Sequence, residues 1–356
     1  MSRIRVGQTL ISCSTGFDRA TMIRAAGEAL ERQLAFADRA GSAEQPMAID
    51  QFDPDVLEWI NLHSADQPDP PTELLASFVK ELGTGRTRRF PSVAFALGPH
   101  IDTEHFPKRD SSGSAFHQSA EMARSAALAE LCERQALTAF WYGGYVRKSF
   151  EIGPDAPIGV QLSRCCAIMR NAGQLLVVDI SLIRPYRVYL AFILNRDGPV
   201  YLASGASAHQ DGSRAMEKAL LELWQAYVLM QQLHTGRTVF ELKSEKSLGV
   251  TDDYFSHNTA DTVARLYDML PAVAEFSTDA FAEPMASFTL EDLKVLLSEQ
   301  RLDFPGLSMS LHLCQTVALN GFLTMSSYDS YPTATRSVLR SFNLAKVVNT
   351  EPVPFG

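Results

Sequence analysis

No two cysteines in this 356-residue chain stand in a Cys-x-x-Cys spacing. The five present, Cys13, Cys132, Cys165, Cys166 and Cys314, are odd in number. Neither a disulfide framework nor a zinc knuckle is therefore supported, and buried thiols are the expectation. Basic residues are also scarce: 32 Lys+Arg stand against 41 Asp+Glu, a net charge of −9, and only Arg86, Arg88 and Arg89 cluster. Such a balance excludes nucleic acid as the main partner. No apolar run approaches the ~20 residues that span a bilayer, and the N-terminus lacks the basic, apolar and small-residue order of a signal peptide. The expectation is a soluble, cytoplasmic protein with no membrane partner. A Gly-x-Gly-x-x-Gly fingerprint is missing as well, so dinucleotide-dependent oxidation is not expected of this chain.

What the chain does contain is a repeated pattern: a glycine-bearing loop followed by a small-residue helix with a glutamate near its end. One copy runs from Ser112-Gly113 through His117-Gln118 to Glu130-Leu131-Cys132-Glu133-Arg134-Gln135. Another runs from Ser204-Gly205 through His209-Gln210 to Glu222-Leu223-Trp224-Gln225-Ala226. The glycine-to-glutamate intervals, 130 − 113 and 222 − 205, are both 17 positions. A shorter copy leads from Gly16 to Glu28-Ala29-Leu30-Glu31-Arg32-Gln33 and shares the string Glu-x-x-Glu-Arg-Gln with the first. Repeats about a hundred residues apart in one chain point to pseudo-symmetry rather than a solenoid. The expected fold is mixed α/β (α+β), with β-sheets packed against long helices and residues 1–356 forming a single domain.

Periodicity places helices over 16–40, 119–141 and 212–235, and near 258–269 and 289–301. Strands are expected at Phe90–Leu97, Leu175–Ile180 and Val188–Leu194, the last two as neighbours in a buried sheet. Gln67-Pro68-Asp69-Pro70-Pro71 reads as a surface loop. The tail 332–356 reads as irregular, with Pro352 and Pro354 favouring extended backbone.

Glutamates three apart lie on one helix face, so Glu28 with Glu31, and Glu130 with Glu133, each form a two-carboxylate patch. Crowded carboxylates are costly without a cation between them, and hard oxygen donors of this kind suit Mg²⁺ sharing phosphate oxygens. Arg32 and Arg134 follow at once and offer bidentate donors to phosphate. Ser112, Gly113 and their counterparts in the other copy offer backbone N–H groups ahead of a helix. An isolated Glu-x-x-Glu-Arg is ordinarily a solvated face; recurrence behind comparable loops favours function. His117 and His209 occupy matching positions, open to a catalytic or a structural role.

These segments, together with Asp110-Ser111-Ser112-Gly113-Ser114-Ala115-Phe116-His117, Glu222-Leu223-Trp224-Gln225-Ala226-Tyr227 and the terminal Pro352-Val353-Pro354-Phe355, resemble the YcaO superfamily over nearly the whole chain. Within it they resemble the cyclodehydratase subunits of microcin B-type thiazole/oxazole synthetases. The resemblance implies a YcaO-like pseudo-symmetric fold that uses ATP and Mg²⁺ to convert Cys, Ser or Thr of a precursor peptide into azoline rings through a phosphorylated amide oxygen. It implies Mg²⁺ ligation by Glu28, Glu31, Glu130 and Glu133, phosphate contacts from Arg32 and Arg134, and nucleotide contacts from Ser112, Gly113, Glu222 and Gln225. The carboxylate of Gly356 is implied in proton transfer, although the family commonly ends in proline. The first repeat begins close to residue 1, which leaves no expected leader-recognition domain. The implied partners are a scaffold subunit with a leader-peptide-binding domain and a flavin-dependent azoline dehydrogenase. Peptide thioamidation and a non-catalytic scaffold role are the alternatives.

Overall fold

Where apolar residues run without interruption, the chain forms strands covered on both faces; where they recur every three or four positions, it forms helices that cover them. The computed structural model describes residues 2–6, 9–14, 44–96, 100–107, 110–195, 197–240, 258–281, 288–303, 310–323, 325, 329, 331–344 and 346–354. It divides into two compact units, one of residues 1–25, 145–286 and 354–356, the other of residues 26–144 and 287–353.

In the first unit, β1 (Ser2–Val6) and β2 (Thr9–Ser14) pair antiparallel. The second unit then receives β3 (Gln45–Ala48), α1 (Pro54–Ser64), β4 (Glu73–Glu81), β5 (Thr87–Pro91), β6 (Ser114–His117) and α2 (Ala120–Gly143). Next come β7 (Lys148–Glu151), α3 (Val160–Ala172), β8 (Gln174–Asp179), β9 (Ile183–Arg184), β10 (Arg187–Leu194), β11 (Leu202–His209), α4 (Gly212–Phe240), α5 (Ala260–Met269) and β12 (Val273–Glu275), all in the first unit. The second unit is completed by β13 (Phe288–Thr289), α6 (Leu290–Leu293), β14 (Val295–Asp303), β15 (Ser310–Ala318) and α7 (Pro332–Ser341).

The first unit's main sheet has the order β11-β10-β8-β7-β12, antiparallel except for the parallel β7/β12 pair. Every residue of β10 is buried, as a strand covered on both faces requires. Its odd-numbered residues Tyr189, Ala191 and Ile193 join Leu175 and Val177 of β8 against Ala219, Leu220 and Leu223 of α4, the alternation that a pleated strand imposes. The second unit's sheet runs β3-β4-β14-β15-β6, with β5 also on β4, and is antiparallel throughout. Helix α2 packs on β15 and β6. A separate aromatic core surrounds Trp59, whose ring centroid lies 4.7 Å from Phe90 and 5.7 Å from Phe106. Pairs of this kind add ~0.5–1.5 kcal/mol each beyond their buried area. Arg88, with only 4% of its side chain exposed, is neutralised there by Asp53 at 2.9 Å and by Asp55.

The expected helices at 119–141, 212–235 and 258–269 and the paired strands β8 and β10 are present at nearly those bounds. Three expectations are corrected. Phe90–Leu97 is not a strand: β5 ends at Pro91 and Ser92–Phe95 is a 3₁₀ turn, because proline removes the N–H that would continue the ladder. At 289–301 only α6 is helical; Lys294 takes a left-handed φ of 51° and starts β14, whose residues Ser298–Asp303 alternate between partly and fully exposed. The tail is not irregular from residue 332, since Pro332 sits in the first turn of α7, where its missing N–H costs nothing. The expected 16–40 helix lies outside the described residues. Cys132, Cys165, Cys166 and Cys314 are buried free thiols, and burial pushes Cys166 and Cys314 up to about 12.

Candidate functional site

Both later copies of the sequence repeat fold into the same device. His117 closes β6 and His209 closes β11. Each imidazole accepts, at Nδ1, the backbone N–H two residues on: Ser119 N at 3.2 Å and Asp211 N at 2.9 Å. Each helix begins three residues after its histidine, at Ala120 and Gly212. The N-termini are capped locally, by Ser119 accepting from Met122 N at 3.4 Å and by Asp211 accepting from Ser213 N at 2.9 Å. The matched histidines therefore share a structural role, with Nδ1 as the acceptor.

Gly205 does different work from that expected. Gly205 lies within β11, paired with Ala191, so its backbone belongs to the sheet and not to an anion-binding loop. A Cβ placed on it would lie 2.5 Å from Ala219 O and 2.7 Å from Glu222 C. Only glycine lets α4 approach this closely, and the point of approach is the turn that carries Glu222. Gly113 adopts a left-handed φ of 72°, and its carbonyl accepts from Thr316 N at 2.8 Å and Thr316 Oγ1 at 3.0 Å. Ser112 N donates to Asp110 Oδ1 at 2.9 Å. That amide is engaged in the turn rather than presented to a ligand.

Helix α2 shows why one of its faces bears charge. Leu128, Cys132, Gln135 and Ala139, at spacings of three and four, are all buried, which leaves Glu130, Glu133 and Arg134 on the other side of the same turns. Their side chains keep 25%, 14% and 18% exposure, and Arg134 Nε lies 3.8 Å from Glu130 Oε1 and 3.6 Å from Glu133 Oε1. One guanidinium thus stands between two partly desolvated carboxylates, all facing a solvent-reachable space. Arg134 Nη1 also points to Met325 Sδ at 3.7 Å. Met325 N donates to Asp110 Oδ2 at 2.8 Å, so Asp110 ties the turn before β6 to the segment beside Arg134. Asp110 and Met325 were not singled out in the sequence; Asp110 stood inside the DSSG string, but its partner lies 215 positions away.

Of the expected site residues, the structure brings Glu130, Glu133 and Arg134 together, with Ser112 and Gly113 joined to them through Asp110 and Met325. Glu222 and Gln225 sit on α4 in the other unit, Glu222 exposed and Gln225 half-buried. Glu28, Glu31, Arg32 and Gly356 lie outside the described residues. The segment before the C-terminus is held within the second unit: Trp141 Nε1 donates to Glu351 O at 2.7 Å and Val348 N to Tyr142 O at 2.8 Å. Among the described residues no three carboxylate, imidazole or thiol groups converge as a complete metal cage. Two carboxylates beside a guanidinium nevertheless fit Mg²⁺ with a phosphate ester, because Mg²⁺ normally takes one or two carboxylates and fills its remaining positions with phosphate oxygens and water.

A mixed fold of sheets covered by long helices, with a charged helix face of this composition, defines a class. The fold of the chain matches those of solved structures along almost its entire length. Residues 16–303 match the family model described as YcaO cyclodehydratase, ATP- and Mg²⁺-binding, and the chain belongs to the YcaO family. Over 156 residues it is 27% identical to the microcin B17-processing protein McbD of Escherichia coli, a stretch covering 42% of this chain and 39% of that relative's length. Its fold is similar to a chain of the E. coli microcin synthetase McbBCD complex with pro-MccB17 bound: TM-score 0.76 at 16% identity, over 97% of this chain and 90% of the other. It is also similar to YcaO from Methanopyrus kandleri bound with AMPPCP and Mg²⁺: TM-score 0.58 at 16% identity, over 93% and 83% of the two chains. No helix among the described residues is long and apolar enough to cross a membrane.

Proposed function

We propose that this chain is the ATP- and Mg²⁺-dependent cyclodehydratase of a cytoplasmic, multisubunit azole synthetase, acting as one functional domain on a ribosomally made precursor peptide. The single observation that carries the proposal is the Glu130–Arg134–Glu133 cluster on α2, in a chain of the ATP- and Mg²⁺-binding YcaO family. The named relative processes microcin B17, and the matched complex carries pro-MccB17.

When bound, ATP supplies the phosphoryl group that turns a poor oxide leaving group into a good one, with Mg²⁺ offsetting its charge. A Cys, Ser or Thr side chain of the peptide gives up its S–H or O–H proton to a base as it adds to the preceding amide carbonyl, forming the C–S or C–O bond of a five-membered ring. With ATP bound, that oxyanion would accept the phosphoryl group, with ADP as the leaving group. Phosphate then leaves as the ring nitrogen gives up its proton, and the peptide has lost one water per ring. The protein's tasks are positioning and charge neutralisation. Glu130 and Glu133, with Glu28 and Glu31, hold Mg²⁺; Arg134 and Arg32 hold phosphate; Glu222 and Gln225 contact the nucleotide. Gly356 would serve in proton transfer, and residues 348 and 351 before it are tied to the end of α2. A scaffold subunit with a leader-peptide-binding domain presents the peptide, and a flavin-dependent dehydrogenase oxidises azolines to azoles.

Mass spectrometry of the precursor peptide, isolated from cells carrying wild-type or Glu133→Gln protein, tests this. Loss of one water per azoline ring, or of one water and two hydrogens per ring oxidised to an azole, is expected with the wild type alone. Replacement of oxygen by sulfur would mark thioamidation instead, and equal processing by the variant would mark a scaffold whose carboxylates take no part.

A further inference from the structure

The string Glu-x-x-Glu-Arg-Gln ends in a glutamine to which the chemistry above gives no task. In α2 that residue, Gln135, is 1% exposed. Its side-chain amide is fully used on one backbone unit: Nε2 donates to Phe322 O at 2.8 Å and Oε1 accepts from Phe322 N at 2.7 Å. A buried primary amide matched to a backbone N–H and C=O is the same pairing that one strand makes with the next, here made by a side chain. Gly321 allows it, since a Cβ there would lie 2.6 Å from Gln135 Oε1. Three residues beyond Phe322 stands Met325, whose sulfur receives Arg134 Nη1 at 3.7 Å and whose N–H is fixed by Asp110 Oδ2 at 2.8 Å. The segment flanking Arg134 is thus pinned at both ends, by Gln135 from beneath the helix and by Asp110 from the turn before β6.

Building on the proposed function, we infer that Gln135 and Asp110 are positioning residues for nucleotide binding, acting through Phe322 and Met325 on the orientation of Arg134. Arg134 has two carboxylates within 4 Å and would otherwise collapse fully onto them. A fixed neighbour at its other nitrogen keeps part of the guanidinium turned from the carboxylates toward a phosphate. The helix-surface sequence motif is then completed by a residue on the opposite, buried side.

The test is titration of the purified full-length chain with a non-hydrolysable ATP analogue in Mg²⁺, alongside thermal unfolding. The variants are Gln135→Met, Gln135→Glu and Asp110→Asn, with Ser77→Ala as a control that breaks the buried Ser77–Ser92 pair elsewhere in the same unit. Gln135→Met is expected to weaken binding on the order of tenfold, as misplacement of a binding group does. Gln135→Glu, which keeps the acceptor for Phe322 N–H, recovers part of it, and Ser77→Ala lowers the melting temperature with affinity unchanged. In an Arg134→Ala background, Gln135→Met should add little further loss, because the two act through one group. Wild-type affinity in folded Gln135→Met, or full additivity with Arg134→Ala, overturns the inference. A Glu133→Gln arm separates the two levels: weakened binding there leaves the nucleotide site standing while Gln135 loses its role, whereas undiminished binding overturns both.

Discussion

Helices α2 and α4 start from the same device and end in different chemistry. Each follows a strand closed by a histidine whose Nδ1 accepts the N–H two residues on, and each sets a glutamate thirteen positions after that histidine, Glu130 and Glu222. Three and four positions further, α2 has Glu133 and Arg134, whereas α4 has Gln225 and Ala226. The means of fixing them differ as well. Helix α4 is held by direct backbone approach over Gly205, while α2 is tied to the backbone of Phe322 by the side-chain amide of Gln135. A duplicated scaffold can thus keep its register and still carry different side chains, two carboxylates and a guanidinium on one helix and a carboxylate and an amide on the other.

The strongest way to break the comparison is at Gly205. Gly205→Ala forces a methyl into the backbone of α4 and should destabilise the protein by ~3 kcal/mol, read as a large fall in melting temperature. Gly113→Ala, strained by its positive φ and by Thr316, should cost somewhat less. Function separates the helices next. Glu133→Gln should reduce Mg²⁺-dependent nucleotide affinity by about tenfold or more with little change in stability, since it removes charge and keeps shape. Gln225→Leu should weaken nucleotide binding without changing its Mg²⁺ dependence, as a titration at two metal concentrations would reveal. If the histidines are equivalent structural parts, His117→Ala and His209→Ala each cost ~1 kcal/mol, the worth of one hydrogen bond. A loss of binding from one without loss of stability would instead make that histidine catalytic.

The smallest expected effect lies on the acid side. Hydrogen bonding to Arg88 holds the Asp55 carboxyl below its usual value. A lowered folded-state value means that the Asp55 contribution is present above the ordinary carboxylate range, about 3.9, and fades as pH falls through the depressed value. Asp55→Asn should flatten that part of the stability–pH profile while leaving the region near neutrality with the same slope.

Much of the site was legible because it is local. The Glu-x-x-Glu-Arg spacing sets two carboxylates and a guanidinium on one helix face whatever the surroundings, and the 17-position interval located both helices. Gly205 was misread as part of an anion-binding loop because a loop glycine and a packing glycine look alike until the partner is known. Gly205 needs the helix turn at Ala219–Leu223, and Gly113 needs Thr316, far away in sequence. The task of Gln135 was hidden for the same reason, its partner Phe322 being 187 residues away. Strand β14 was read as helix because its first residues, Val295–Leu297, are all buried and mask the alternation that follows.

The most direct measurement is a Mg²⁺-dependent ATP-binding titration on the purified chain, wild type against Glu133→Gln and Glu31→Gln. The account predicts binding that requires Mg²⁺ and is lost or strongly weakened in both variants. Absence of binding in the wild type, or binding that both variants retain, would contradict it.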